Sequence, residues 1–175
     1  MGPLPLRTAT VDDAAALDRL VNSAYRGDSS RSGWTTEADL LGGQRTDAEG
    51  LRELLSKPDS VVLLHERGDA PIACVHLQRT ARGCYLGMLT IEPTLQSAGL
   101  GRAMLDAAEA FARREWHSPL MYMTVIIQRD ALIAWYERRG YRRSGERRPF
   151  PYGDERFGLP LRPDLEFEIL VKPLT

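Results

Sequence analysis

Leu89-Thr-Ile-Glu-Pro-Thr-Leu-Gln-Ser-Ala-Gly-Leu-Gly-Arg-Ala-Met104 is where the chain changes from a strand to a helix. The apolar run before it ends at Pro93, which cannot continue a ladder of backbone hydrogen bonds. Past the glycines, Leu100, Ala103, Met104, Ala107 and Phe111 recur at helical spacing to about Arg114. Between the two lies a loop with Gln96, Gly99 and Gly101. Glycines there let backbone N–H groups converge, and the following helix N-terminus adds partial positive charge. The combination is a cradle for a phosphate or pyrophosphate.

Three anion-binding patterns compete for this stretch. A P-loop requires Lys-Ser/Thr after its last glycine, and Arg102-Ala103 stands there instead. A dinucleotide fingerprint requires a third small residue early in the chain, whereas Met104 fills that place in mid-sequence. Gln-x-x-Gly-x-Gly after a strand ending apolar-x-Pro fits in full. As isolated turn glycines, Gly99 and Gly101 carry no chemistry; within the whole motif they do.

Upstream, the period is that of strands. Val61 to Leu64, Ile72 to Gln78 and Tyr85 to Ile91 read as an antiparallel meander turning at Gly68-Asp69 and Arg82-Gly83. Before it, Leu4 to Ala9 reads as a short strand. Thr10 caps a helix whose apolar face is Ala14, Leu17, Val21 and Ala24. Arg26 to Gly33 reads as a loop and Trp34 to Leu41 as a short helix. Thr46 to Glu49 is a capping box before a helix carrying Leu51, Leu54 and Leu55. Downstream, Leu120 to Ile127 is a strand, and Ala131 to Arg139 a helix closed by Gly140. Tyr141 onward is extended, Arg147 to Pro163 is a long loop with four prolines, and Leu165 to Val171 is the last strand. The fold class is α/β with a mixed sheet: an antiparallel meander, then strand–helix–strand–helix–strand.

The 175 residues carry no repeat or low-complexity linker and read as one domain, 1–175. Hydrophobic residues make up 43% and charged residues 27%, an ordinary globular balance that argues against global disorder. A net charge of −1 argues against non-specific nucleic-acid binding as the main task. Cys74 and Cys84 lie in apolar strands and read as reduced thiols, and the first residues lack a signal-peptide core, so the expected location is cytoplasmic, with no membrane partner. His65, His76 and His117 show no metal-ligand spacing.

With the Gln-x-x-Gly-x-Gly motif in place, the sequence resembles the GNAT superfamily of acyl-CoA-dependent N-acyltransferases. The matching residues are Leu89, Ile91, Pro93, Gln96, Gly99 and Gly101. A second match is Ala134-Trp-Tyr-Glu-Arg-Arg-Gly-Tyr141, similar to the family's helix ending in Tyr-Glu-x-x-Gly-aromatic. Element order from Leu4 to about Arg143 agrees, and the two motifs in this order form a joint signal.

The resemblance implies that the strand through Leu89 splays from the strand at Met121 to Ile127, leaving a gap for the pantetheine arm of coenzyme A. Leu89, Thr90 and Ile91 would border that arm. Gln96, Ser97, Ala98, Gly99, Leu100, Gly101 and Arg102 would hold the pyrophosphate. Acetyl-CoA is thus the implied co-substrate, with no metal. The N–H of Leu89 would face the developing oxyanion, and Tyr136 matches the family's usual proton donor to the departing thiolate. Arg129 stands where the family often has an asparagine in contact with the cofactor.

For the base, Cys84-Tyr85-Leu86-Gly87 offers no carboxylate, and Glu92 points to the face opposite Leu89 and Ile91. Glu37 is the candidate, since the family's early helices wall the acceptor site; its bland reading is a solvated helix residue. Trp34 and Tyr152 are further candidates for the acceptor site, and a packing role is the alternative for Trp34, as it is for Tyr136. Arg138, Arg139, Arg142, Arg143, Arg147 and Arg148 read either as charge around a helix C-terminus and an exposed edge or as attraction for the cofactor's 3′-phosphate or a tRNA-linked substrate. The loop from Arg147 to Pro163, with Phe150, Tyr152, Asp154, Glu155 and Phe157, covers the acceptor site or the edge of a homodimer. The expected activity is acetyl transfer to a small-molecule amine by direct attack in a ternary complex. The rivals are a non-catalytic acyl-CoA sensor and an acyltransferase for protein lysine or aminoacyl-tRNA.

Overall fold

The computed structural model describes residues 4–96, 98–154 and 158–174. In chain order the elements are β1 (Arg7–Thr8), α1 (Ala14–Tyr25), α2 (Gly27–Ser30), β2 (Leu41–Gly42), α3 (Ala48–Ser56), β3 (Ser60–Arg67), β4 (Ala70–Arg79), β5 (Cys84–Ile91), α4 (Leu100–Trp116), β6 (Leu120–Ile126), α5 (Asp130–Glu137), β7 (Arg142–Pro149), β8 (Leu159–Pro160) and β9 (Glu166–Pro173). The main sheet runs β1-β3-β4-β5-β6-β9-β7, and β2 pairs with β8 beside it.

Alternation along the strands feeds two cores. In β4, Ala73, Val75 and Leu77 face α4 and α5, where they meet Met104, Leu105 and Ile133. Cys74, with Val62 and Leu64 of β3, faces Leu17, Val21 and Leu51 of α1 and α3. The sheet is thus sandwiched between two helical layers, which the mixed α/β order anticipated.

The central opening follows from pairing. β5 and β6 run parallel, yet they pair only at Cys84↔Met121 and Tyr85↔Tyr122. Beyond Tyr85 both strands continue without pairing to each other, as the resemblance implied. On its other side, β5 slips register against β4 between Cys74 and His76. Met88 lies in this irregularity at φ 51, and its carbonyl accepts the Thr90 hydroxyl at 2.8 Å. Such a bulge bends the strand and re-aims the residues after it.

Several expected elements are placed differently. The first strand contracts to Arg7–Thr8. The expected loop at Arg26 to Gly33 contains the single turn α2. Trp34 to Leu41 is not a helix: Thr36 Oγ1 accepts from Ala38 N at 3.0 Å and Leu41 begins β2. Side-chain hydrogen bonds of this kind compete with helical ones. The α3 cap is Asp47, whose carboxylate accepts from Gly50 N at 2.7 Å. On α4 the fully buried stripe is Met104, Leu105, Ala108, Glu109 and Ala112, rotated from the expected one. Glu109 is buried because it accepts from Tyr141 Oη at 2.9 Å and pairs with Lys172 at 2.8 Å. The expected loop from Arg147 starts as strand, with β7 pairing to β9 as far as Pro149↔Glu166, and it contains β8.

Candidate active site

Strand alternation decides what β5 presents to the opening. Glu92 N donates to Ile72 O of β4 at 2.8 Å, so Leu89 and Ile91, three and one residues earlier, turn their backbone groups to the open side. Tyr25 Oη donates to Leu89 O at 3.0 Å, and Gln96 Nε2 donates to Ile91 O at 3.2 Å. Gln96 Oε1 is buried without a partner. Gly99 caps α4 at φ 83, in the left-handed region that favours glycine. The first turn that follows has amides without intrahelical partners. Gly101 differs, since a Cβ there would meet Trp135 Cζ2 at an ordinary 3.5 Å.

These groups border a cavity of about 490 Å³ whose lining includes Leu89, Thr90, Ile91, Gln96, Gly99 and Gly101. Arg102, Arg138 and Arg139 also line it. Arg139 lies 4.0 Å over the Trp135 ring and donates to Trp135 O at 3.0 Å. Unpartnered amides and three cations along one cleft fit the polyanionic end of coenzyme A. Trp34, expected at the acceptor, lines this cavity instead, with its ring 6.3 Å from Trp135.

A second cavity of about 210 Å³ lies on the other side of Tyr136. Its lining includes Arg26, Glu37, Arg45 and Arg129, with Leu41, Val125, Ile126, Phe150 and Phe167 as apolar wall. Tyr25, Leu89, Arg129, Leu132 and Tyr136 line both cavities. Tyr136 is therefore at their junction, its ring held by Trp135 at 5.1 Å and Tyr141 at 5.7 Å. Burial pushes its pKa above the ordinary tyrosine value, reinforced by Tyr25 and opposed by Arg129.

Glu37 is buried, not solvated. One carboxylate oxygen accepts from Arg26 Nη1, the other from Arg129 Nη1 at 2.9 Å. Burial acts to raise its pKa, but the charges of Arg129, Arg26 and Arg45 prevail and hold it below the ordinary value. A carboxylate with both oxygens engaged by guanidinium groups is a poor base, which weighs against its expected catalytic role. Arg129 also donates to Thr35 Oγ1 at 2.7 Å, and it lines both cavities.

Tyr152 lines neither cavity. Its hydroxyl donates to Arg162 O at 2.6 Å and accepts from Leu165 N at 2.9 Å, clasping the 150–165 loop; this replaces its expected substrate contact. Phe150 and Phe167 line the second cavity. Ala98 is exposed and Leu100 half-buried, and neither lines a cavity. Ser97, Glu155 and Phe157 lie outside the described residues. The arginine run divides. Arg138 and Arg139 border the first cavity, while Arg143, Arg147 and Arg148 pair with Glu168, Glu166 and Glu146. The sequence does not single out Arg45, which only precedes the Thr46 to Glu49 capping box. Among the described residues, no group of three or more His, Cys, Asp or Glu could hold a metal ion. No described helix is long and apolar enough to cross a membrane.

Comparison with known proteins agrees with this architecture. The chain is 27% identical over 158 residues to an IAA acetyltransferase of Azospirillum brasilense, covering 89% of this chain and 90% of that protein. Its fold is similar to the ribosomal-protein-S18-alanine N-acetyltransferase of Escherichia coli, with TM-score 0.70, 15% identity and coverage of 98% and 94%. It is also similar to a variant of the spermidine N-acetyltransferase of Vibrio cholerae, with TM-score 0.67, 15% identity and coverage of 98% and 95%. A sequence model of the acetyltransferase (GNAT) family matches residues 17–141, which include the glycine loop, α4 and the Tyr136 helix. With the splayed strands and the loop-to-helix cradle in the order that family requires, this chain belongs to the GNAT acetyltransferases, acyl-CoA-dependent N-acetyltransferases that take their acetyl group from acetyl-CoA.

Proposed function

We propose that residues 1–175 act as one catalytic domain that moves an acetyl group from acetyl-CoA to the amine of a small molecule, by direct attack in a ternary complex. The observation that carries this reading is the meeting of two cavities at Tyr136 and Leu89. One has the cations and amides suited to coenzyme A, and the other is of a size for a small acceptor. Acetyl-CoA supplies the thioester whose C–S bond is exchanged for a C–N bond.

The protein's part is positioning and charge. The cradle from Gln96 to Arg102 fixes the cofactor's phosphates, and the backbone of Leu89 and Ile91 aligns the arm. The Leu89 N–H is the donor for the developing oxyanion. Tyr136 Oη holds the proton that goes to the departing sulfur, and its raised pKa keeps it protonated at working pH. The acceptor must arrive as a neutral amine. Arg26, Arg45 and Arg129 surround the cavity, and nearby positive charge lowers the pKa of an ammonium group. That favours loss of the proton to water without a dedicated carboxylate.

The test is release of free thiol from acetyl-CoA with a panel of amines, amino acids, polyamines and lysine peptides. Turnover with a small amine and not with peptides is expected. Release that no amine accelerates would overturn the reading in favour of an acyl-CoA sensor.

A further inference from the structure

Among the described residues that line the second cavity, Arg45 has no carboxylate in contact with it. The cavity's described lining contains three guanidinium groups and one carboxylate, Glu37. Glu37 is engaged on both oxygens by Arg26 and Arg129. Arg45 is left over. Among the described residues its guanidinium makes no ion pair or hydrogen bond, and its ring contact is Tyr25, 5.4 Å from the centroid.

Arg45 is nonetheless held firmly by its backbone. Asn22 Oδ1 accepts from Arg45 N at 2.6 Å and from Thr46 N at 3.2 Å, while Asn22 Nδ2 donates to Thr46 O at 2.8 Å. A fixed backbone therefore presents a half-buried cation without a direct ion pair to a cavity whose apolar wall includes Leu41, Val125, Ile126 and Phe150. Holding a partly buried charge without a contacting counter-charge costs free energy, which an anionic ligand reduces.

We infer that the acceptor is a small amino acid: an amine carrying an apolar body and a carboxylate that Arg45 binds. This rests on the second cavity being the acceptor site. A polyamine meets like charge in the same place and is disfavoured. No atom of Arg45 takes part in bond exchange; it orients the acceptor so that its nitrogen faces the thioester.

The experiment compares alanine, leucine, methionine and phenylalanine with their carboxamides, their decarboxylated amines and spermidine, by thiol release. In parallel, calorimetry on the coenzyme A-bound protein compares the N-acetylated acids with their N-acetylated amides. The expected result is a preference of at least about tenfold for the acid over its amide in kcat/KM and in affinity, the range of a charge-assisted hydrogen bond. Arg45→Met should erase that preference, Arg45→Lys should keep part of it, and neither should change acetyl-CoA affinity. Amides or spermidine turned over as well as the acids, or a preference that survives Arg45→Met, would overturn the inference and leave acetyl transfer standing. Absence of both turnover and N-acetyl-acid binding would overturn it together with the proposed function.

Discussion

Tyr136 concentrates the chemical question in one hydroxyl. It lines both cavities, and its ring is fixed between Trp135 and Tyr141. Tyr136→Phe keeps that packing and removes only the donor. It should lower kcat by roughly ten- to a thousandfold while leaving acetyl-CoA affinity near wild type. Steady-state kinetics with melting curves as control decide it, and an unchanged kcat would return Tyr136 to a packing role. Glu37→Gln tests a different function. A base would take kcat and the acidic limb of the pH–rate profile with it. A residue that organises guanidinium groups would instead raise the amine KM and lower stability, because Arg26 and Arg129 lose the charge of Glu37. Breaking a buried ion pair costs about 3–5 kcal/mol, and the retained amide oxygen reduces that loss. The expected outcome is therefore a shifted KM and melting temperature with an unmoved acidic limb.

At the scale of elements, the strand–loop–helix unit around Gly99 was legible because two periods meet there, and both are local properties of the chain. Gly101 makes the consequence testable. Its Cβ position is unobstructed by backbone, with Trp135 at 3.5 Å and Ile91 at 3.8 Å. Gly101→Ala should therefore fold and bind coenzyme A with a modest loss. Gly101→Asp should lose affinity by at least about a hundredfold, since it sets a carboxylate beside phosphates and displaces one or more charge-assisted hydrogen bonds. Calorimetry with acetyl-CoA on both folded variants separates space from charge, and equal affinity of Gly101→Asp and wild type would sink the cradle. The acceptor wall was not legible in the same way. Arg45 is placed by Asn22 of α1, and Phe150 and Phe167 by the β7–β9 pairing, which no local period records. Trp34 to Leu41 misled because its apolar spacing suits a helix, whereas Thr36 bonds the local backbone and Glu37 is drawn to Arg129. On α4, burial of Glu109 depends on Lys172, 63 residues away, so the helix face could not be read from its own sequence.

For the whole molecule, pH acts through groups that are buried in one ionisation state. His76 of β4 is buried, with Nε2 2.9 Å from Ser60 Oγ. Burial, with the charges of Arg45 and Lys57, lowers its pKa from 6.5 to about 4. Above pH 6.5 neither the folded nor the unfolded chain holds a proton there. As pH falls below 6.5 the unfolded chain takes one that the fold refuses, so stability falls until about pH 4 and then levels off for this group. The depressed carboxylates act lower: hydrogen bonding from Arg7 takes Asp13 from 3.8 to about 2 despite partial burial, so its contribution is lost only as pH falls through that range. The window between 6.5 and 4 thus isolates His76. The two pKa values imply roughly 2 kcal/mol lost at pH 5 relative to neutral pH. Urea unfolding at pH 7.5 and pH 5 measures that loss. His76→Gln offers an uncharged hydrogen-bonding group to Ser60 at both pH values, so its stability should change little between them even if it is lower throughout. If the variant and the wild type lose the same stability on acidification, the titrating group is elsewhere and His76 is protonated within the fold.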